Sequence, residues 1–165
     1  MQDNYTTPRL SLHRISLDDA NFIFELVNTP EWKRFIGNRN IENDEAAKRY
    51  VERIVKNSSI NYWVVRLRDD QTPLGIVTFI KKEYLDYPDI GFAFLARYTG
   101  KGYAQEAAKV VLDDLINDRT YAKVFATTVK DNVSSIRLLE KLGFKFSHEI
   151  EVEKESLNVY ALDHR

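Results

Sequence analysis

Two glycines separate an alternating apolar run from a helical one in Arg97-Tyr98-Thr99-Gly100-Lys101-Gly102-Tyr103-Ala104-Gln105-Glu106-Ala107-Ala108, an arrangement suited to holding a phosphate. Upstream, Ile90, Phe92 and Phe94 alternate with Gly91, Ala93 and Leu95 as in a strand. Downstream, Ala104, Ala107, Ala108, Val111, Leu112 and Leu115 keep the spacing of one helix face. A strand therefore feeds a helix through a glycine turn. The helix's first N–H groups lack intrahelical partners and carry the positive end of its dipole. Glycine lets the backbone approach a ligand with no Cβ between them, so the turn suits a pyrophosphate. Its candidate donors are the N–H groups of Gly100, Gly102, Tyr103 and Ala104, with Lys101 adding a charge. A plain packing turn of an α/β unit has the same composition, and Lys101 reads equally as a solvated lysine.

The common nucleotide fingerprints are not met. A Walker loop needs Lys-Ser/Thr after its last glycine, and the dinucleotide fingerprint needs a third glycine where Gln105 stands. A second segment, Asn132-Val133-Ser134-Ser135-Ile136-Arg137-Leu138-Leu139-Glu140-Lys141-Leu142-Gly143-Phe144, reads as a short amphipathic helix after a strand over 123–129. Asn132 is its N-cap and Gly143 its C′ residue. In this order and spacing, the two segments resemble the GNAT N-acetyltransferase superfamily, in particular its RimJ/RimL-like branch. The acetyl-CoA pyrophosphate loop of that family reads Gln/Arg-x-x-Gly-x-Gly/Ala. Gly102 and Ala104 match it, whereas Thr99 replaces the Gln or Arg and removes a side-chain donor.

The resemblance implies acetyl-CoA as co-substrate and a set of roles. Pantetheine amides would run against the end of the strand around Phe94 and Leu95, with a backbone N–H near Phe94 polarising the thioester carbonyl. Thr99, Gly100, Lys101, Gly102, Tyr103 and Ala104 would surround the pyrophosphate, and Asn132 would meet the pantetheine arm while capping its helix. Many members carry a Tyr seven positions after the Asn, where this chain has Leu139. Ser135, with Ser134 next, is then the position that faces the leaving sulfur, or else a hydroxyl bonded to its own helix turn. Asp89 opens its strand where related sequences carry a Glu, so it is the candidate base, or a turn former after Pro88. Glu106 reads as a dipole-favouring acid in the first helical turn. The acceptor site falls to the 17–55 region, where Trp32 and Phe35, with Arg34 and Arg39, form an aromatic wall with cations or else plugs under a loop.

The elements that must position these groups follow from periodicity. A strand over 9–15 leads to Ser16-Leu17-Asp18-Asp19, a cap with an acid at its third helical position. A first helix then buries Phe22, Ile23, Leu26 and Val27 and is limited by Pro30, after which 31–40 reads as irregular. Asn43 or Asp44 caps a second helix with the face Ala47, Tyr50, Val51, Ile54 and Val55. Strands over 61–68, 74–81 and 89–95 precede the helix 103–117. The strand 123–129, the helix 132–142 and strands over 144–151 and 157–162 complete the chain. The fold class is α/β (α+β), in the order β-α-α-β-β-β-α-β-α-β-β, and it matches GNAT topology along the whole chain. That means one domain over 1–165 with a mixed central sheet of about seven strands flanked by about four helices. The crossover through 103–117 demands a parallel pair, and the middle strands an antiparallel set.

Length and composition bound the rest. At 165 residues, 44% hydrophobic and 30% charged, the chain suits one domain with a substantial core. With no membrane-length apolar stretch and no signal-like start, the expectation is cytoplasmic residence without a membrane partner. A net charge of −1 gives no field for nucleic acid. His13, His148 and His164 have no ligand spacing, so no metal is expected. Because cysteine is absent, no acyl-cysteine can form, and transfer would go directly from donor to amine unless a Ser or Thr were acylated. The alternatives left open are a non-catalytic acyl-CoA-binding or regulatory domain and a protein-interaction module. Either a monomer or a homodimer through the terminal strands fits.

Overall fold

The alternating runs become strands and the 3.6-periodic runs become helices. In the computed structural model, which describes residues 1–163, the chain runs β1 (Asn4–Thr6), β2 (Leu10–Arg14), a 3₁₀ turn (Leu17–Asp19), α1 (Ala20–Val27), α2 (Pro30–Phe35), α3 (Asp44–Lys56), β3 (Ile60–Leu67), β4 (Pro73–Ile80) and β5 (Asp89–Phe94). A second 3₁₀ turn (Ala96–Tyr98) leads to α4 (Tyr103–Asn117), β6 (Lys123–Thr128), α5 (Val133–Lys141), β7 (Lys145–Val152) and β8 (Glu155–Asp163). The eight strands form one sheet in the order β1-β2-β3-β4-β5-β6-β8-β7. Every neighbouring pair is antiparallel except β5 and β6, which the α4 crossover makes parallel.

Strand side chains alternate between faces, so the sheet sorts its apolar residues into two cores. One face packs Trp63, Val65, Val77, Phe79 and Ile90 against Ala107, Val111 and Leu115 of α4 and Leu139 of α5. The other packs Tyr62, Val64 and Ile76 against Phe22, Ile23, Leu26 and Val27 of α1, Trp32 of α2, and Ala47, Val51 and Ile54 of α3. Fully burying one such aliphatic side chain is worth about 1.5–3 kcal/mol, so the two cores hold the sheet rigid beneath the site.

The mixed sheet flanked by helices is as expected. Among the described residues it has eight strands, close to the expected count of about seven, since Asn4–Thr6 pairs antiparallel with β2, and there are five α-helices beside the expected count of about four. The structure corrects the sequence reading in two finer places. Part of the 31–40 stretch is helical: Pro30 ends α1 and also sits in the first turn of α2, where its missing N–H costs nothing, and Thr29 Oγ1 caps the turn by accepting from the Trp32 N–H. Val55, expected on the buried face of α3, is 54% exposed. Ala47, Val51 and Ile54 define a narrower stripe, and Val55 lies one residue of rotation past it. His13 lies in β2 and His148 in β7, while His164 lies outside the described residues. Among the described residues, no helix is long and apolar enough to cross a membrane.

Candidate active site

The parallel pair opens almost as soon as it forms. Its register holds a single residue pair, Asp89 with Phe125, backed by the Phe125 N–H donating to the Pro88 carbonyl at 2.9 Å. On its other side β5 stays zipped to β4 from Asp89↔Ile80 to Phe94↔Gly75, and Leu95 N–H donates to Leu74 O at 2.9 Å. Antiparallel pairing uses alternate residues, so Leu95, Ala93, Gly91 and Asp89 turn their backbone groups to β4. Phe92 and Phe94 turn theirs toward β6 and into the gap. This places the free amides at Phe92 and Phe94 and removes Leu95, whose N–H is already used. Gly75 makes the end of β5 fit: a Cβ there would sit 2.4 Å from Ala93 O and 2.6 Å from the Phe94 ring.

The gap leads to the start of α4. Gly100 and Gly102 have φ of +77° and +81°, the left-handed region that L side chains avoid, and Gly102 is the N-cap residue. A Cβ at Gly100 would meet nothing within 4 Å, so that side of the turn is open. Thr99 spends its hydroxyl on Ala96 O at 2.7 Å, leaving the turn to its backbone N–H groups and the exposed Lys101. Tyr103 lies beneath a residue that the sequence reading missed, since the Arg9 guanidinium carbon sits 4.5 Å from its ring centroid. Arg9 also donates to Glu106 Oε1 at 2.8 Å and to Lys101 O at 3.0 Å. Glu106 thus does more than favour a dipole. Burial works against its charge, but hydrogen bonds from Thr7 and Arg9 hold its carboxyl below the usual range.

Asp89 stands at the apex of the gap, 4% exposed. Lys82 Nζ donates to its Oδ2 at 3.0 Å and Thr127 Oγ1 at 3.1 Å. Burial pushes its carboxyl above the ordinary aspartate range, against the lowering pull of Lys82 and Thr127. It is therefore a buried, hydrogen-bonded carboxylate and not a solvated turn former. Residues opposed across a sheet share a face, so Tyr62, Thr78 and Gly91 lie in one row on the α1–α3 side. Gly91 contributes no side chain there, and the Thr78 hydroxyl occupies the space, 2.7 Å from where a Gly91 Cβ would be. Tyr50 and Tyr62 hydroxyls, 3.3 Å apart, face each other on the same side. Burial, then Tyr50, holds the Tyr62 phenol well above its usual range; Asp89 adds to that push and Arg39 opposes it. The pairing of these two tyrosines also escaped the sequence reading, which has Tyr50 only as part of a helix face.

The proposed acceptor aromatics form two cation-capped pairs. Arg34 sits 4.7 Å from the Phe35 ring centroid and Arg39 6.0 Å from that of Trp32. Trp32 is 4% exposed and belongs to the core of that face, with its buried Nε1 unpartnered among the described residues; Phe35 is half-buried. On α5, Asn132 Oδ1 accepts from the Ser135 N–H at 3.3 Å, and the Ser134 hydroxyl donates to the same oxygen at 3.4 Å. Ser135 is half-buried. Leu139, at the place where a phenol would stand, is 1% exposed in the core and faces no site.

The acetyltransferase (GNAT) domain model matches residues 9–145. An uncharacterized N-acetyltransferase of Bacillus subtilis, YnaD, is 27% identical over 140 residues, covering 85% of this chain and 81% of that one. A GNAT-family acetyltransferase from Bacillus anthracis superposes with a TM-score of 0.82 at 22% identity, covering 98% of both chains. RimL, a ribosomal L7/L12 alpha-N-protein acetyltransferase in complex with coenzyme A, superposes with a TM-score of 0.84 at 12% identity over 96% of each chain.

Proposed function

Because the chain belongs to the GNAT acetyltransferase family, we propose that it transfers an acetyl group from acetyl-CoA directly to a primary amine, on a protein N-terminus or a small molecule. The observation that carries the reading is the β5–β6 gap, whose unpaired Phe92 and Phe94 amides lead to the glycine turn at the start of α4. An edge of free N–H and C=O groups suits the amides of a pantetheine arm as it would an added strand. The turn then takes the pyrophosphate on the N–H groups of Gly102, Tyr103 and Ala104.

Each chemical task has a candidate group on β5 or α5. The acetyl carbonyl lies where a β5 N–H, from Phe92 or Phe94, stabilises the oxygen as it gains charge. Asp89 takes the proton of the incoming ammonium, directly or through a water, and the freed amine nitrogen attacks the carbonyl carbon. The C–S bond breaks, the N–C bond remains, and the proton that the attacking nitrogen still has to lose passes to the thiolate through the Ser135 hydroxyl acting as a positioned donor or relay. With no cysteine in the chain, no acyl-cysteine intermediate intervenes. The acceptor enters from the α1–α3 side, over Gly91 and past the half-buried Tyr50 and Phe35, with Trp32 and Tyr62 in the core on that side. The RimJ/RimL-like placement rests on the loop and the Asn132 segment, since the RimL likeness at 12% identity carries the fold alone.

Thermal unfolding with and without saturating acetyl-CoA tests the donor site. A ligand at one hundred times its Kd adds about 2.7 kcal/mol, a shift of roughly 5–10 °C for a domain of this size. A shift with acetyl-CoA but not with ATP or NAD supports the reading, and thiol release on adding amines then identifies the acceptor. No shift reduces the glycine turn to a packing device and overturns it.

A further inference from the structure

We propose that Arg9 is a ligand of the anion bound at the start of α4, supplying from the other end of the chain the cation that Thr99 withholds from the loop. The inference rests on the donor site described above and adds a residue that lies outside the glycine motif. Three contacts hold the guanidinium against the first turn of α4. Nε donates to Glu106 Oε1 at 2.8 Å, Nη1 donates to Lys101 O at 3.0 Å, and the guanidinium carbon sits over the Tyr103 ring at 4.5 Å. The Arg9 N–H also donates to Glu106 Oε2 at 3.1 Å, so backbone and side chain grip the same carboxylate. The third nitrogen, Nη2, lies 3.3 Å from where a Cβ on Gly102 would be, over the N-cap itself. Among the described residues Nη2 donates to nothing.

Charge gives the arrangement its direction. Glu106 stabilises the helix start but repels an approaching phosphate. Pairing it with Arg9 cancels that repulsion and leaves Nη2 of a planar fork without an acceptor beside Gly102, and guanidinium offers such a fork to phosphate oxygens. The loop's own side chains do not replace it, since the Thr99 hydroxyl is spent on Ala96 O. Lys101 provides a mobile point charge, and Arg9 an oriented one.

A purely structural tie between the N-terminal strands and α4 is the competing account, and donors of different length separate the two. Acetyl-pantetheine carries the thioester arm without any phosphate, so a phosphate ligand acts on acetyl-CoA alone. Arg9→Met is expected to raise the KM for acetyl-CoA about tenfold, as loss of one charge-assisted hydrogen bond at a half-exposed site implies. kcat/KM with acetyl-pantetheine should stay within about twofold. An equal loss with both donors, or no loss with acetyl-CoA, overturns the assignment. Should Arg9→Met fail to fold, Arg9→Lys keeps the charge and stem while losing the fork, and the same two donors read it out. Stabilisation by inorganic pyrophosphate gives an arm free of transfer chemistry. A melting shift in the wild type that Arg9→Met or Arg9→Lys loses supports the ligand role even if acetyl-CoA proves inert, in which case the transferase reading alone falls. No pyrophosphate shift together with no donor discrimination sinks the Arg9 role.

Discussion

Replacing Asp89 by Asn removes the proposed proton acceptor while keeping its shape. In the wild type, Oδ2 accepts from Lys82 Nζ at 3.0 Å and Thr127 Oγ1 at 3.1 Å. Asn can offer its oxygen to one of these donors and turns an NH2 toward the other. Lys82, whose side chain is 28% exposed, can swing to water, and the loss of a charge that burial disfavours offsets part of the missing bond. The net cost is about 1–2 kcal/mol, a fall in Tm of roughly 2–8 °C that leaves the protein folded. A general base contributes about 10²–10⁴-fold, so kcat/KM is expected to drop at least about a hundredfold while the acetyl-CoA melting shift persists. The pH dependence carries the sign. Burial raises the Asp89 pKa above its unfolded value, so the ionised base appears only as pH climbs through that raised value, and activity should rise along an acidic limb displaced upward from the ordinary aspartate range. Stability runs the other way. Below the unfolded pKa the carboxyl is neutral in both states, and its relative contribution to folding is lost as pH rises through the folded pKa. Asp89→Asn should abolish both dependences. Steady-state thiol release across pH, beside melting curves, measures them; wild-type kcat/KM with an unchanged acidic limb would refute the base assignment.

Three further outcomes are expected. Lys82→Met removes the cation that pulls the Asp89 pKa down, so the acidic limb in kcat/KM should move to still higher pH, and a limb that stays put or moves down would show that the pair is not coupled in the reacting complex. Gly102→Val forces a branched side chain into φ of +81°, costing about 1–2 kcal/mol, and brings its Cβ within 3.3 Å of Arg9 Nη2. The variant should melt a few degrees lower and show no acetyl-CoA shift, and an undiminished shift would remove the loop from the site. Ser135→Ala keeps the α5 cap, which uses the backbone N–H of Ser135 and not its hydroxyl. Turnover should therefore fall more than donor affinity, and an equal loss in both would reduce Ser135 to binding or capping.

What could be read from the sequence was what local periodicity and local chemistry determine. The α4 face, the glycine turn and the Asn132 cap each depend on residues within a turn or two of one another, and each has the expected location. β1 escaped because three residues carry no period, and α2 because a proline that ends one helix can begin the next. The missed site residues share a different cause. Arg9 meets Glu106 across 97 positions, Thr127 meets Asp89 across 38, and the Tyr50–Tyr62 hydroxyl pair depends on how α3 lies on β3. No spacing rule along the chain encodes such meetings. The burial of Asp89 was hidden for the same reason, since a Pro-Asp pair reads as a turn until the strands on either side enclose it.

The position of Asp89 follows from strand geometry. A parallel neighbour reached through α4 must start level with β5, yet β6 is drawn away toward β8 by the six-residue register from Lys123↔Asp163 to Thr128↔Asn158. Pairing with β5 therefore survives at one residue, and the sheet is split from there to the helix start. The split exposes backbone donors in the middle of a sheet that is otherwise fully paired along β4 and β8, a condition normally confined to edges. It also makes β5 the one strand with work on both sides. In the proposed reading its gap-side backbone groups would meet the donor arm, while Asp89, Gly91 and Ala93 face the α1–α3 side from which the amine would arrive. On that reading donor and acceptor would converge at Asp89 without sharing an entrance. This predicts that enlarging Gly91 would obstruct the amine before the donor: Gly91→Val should raise the KM for amine at an unchanged acetyl-CoA melting shift, provided that Thr78 Oγ1, which a Cβ would approach to 2.7 Å, rotates aside. A variant that stays folded but loses the acetyl-CoA shift as well would show that the two substrates enter from the same side.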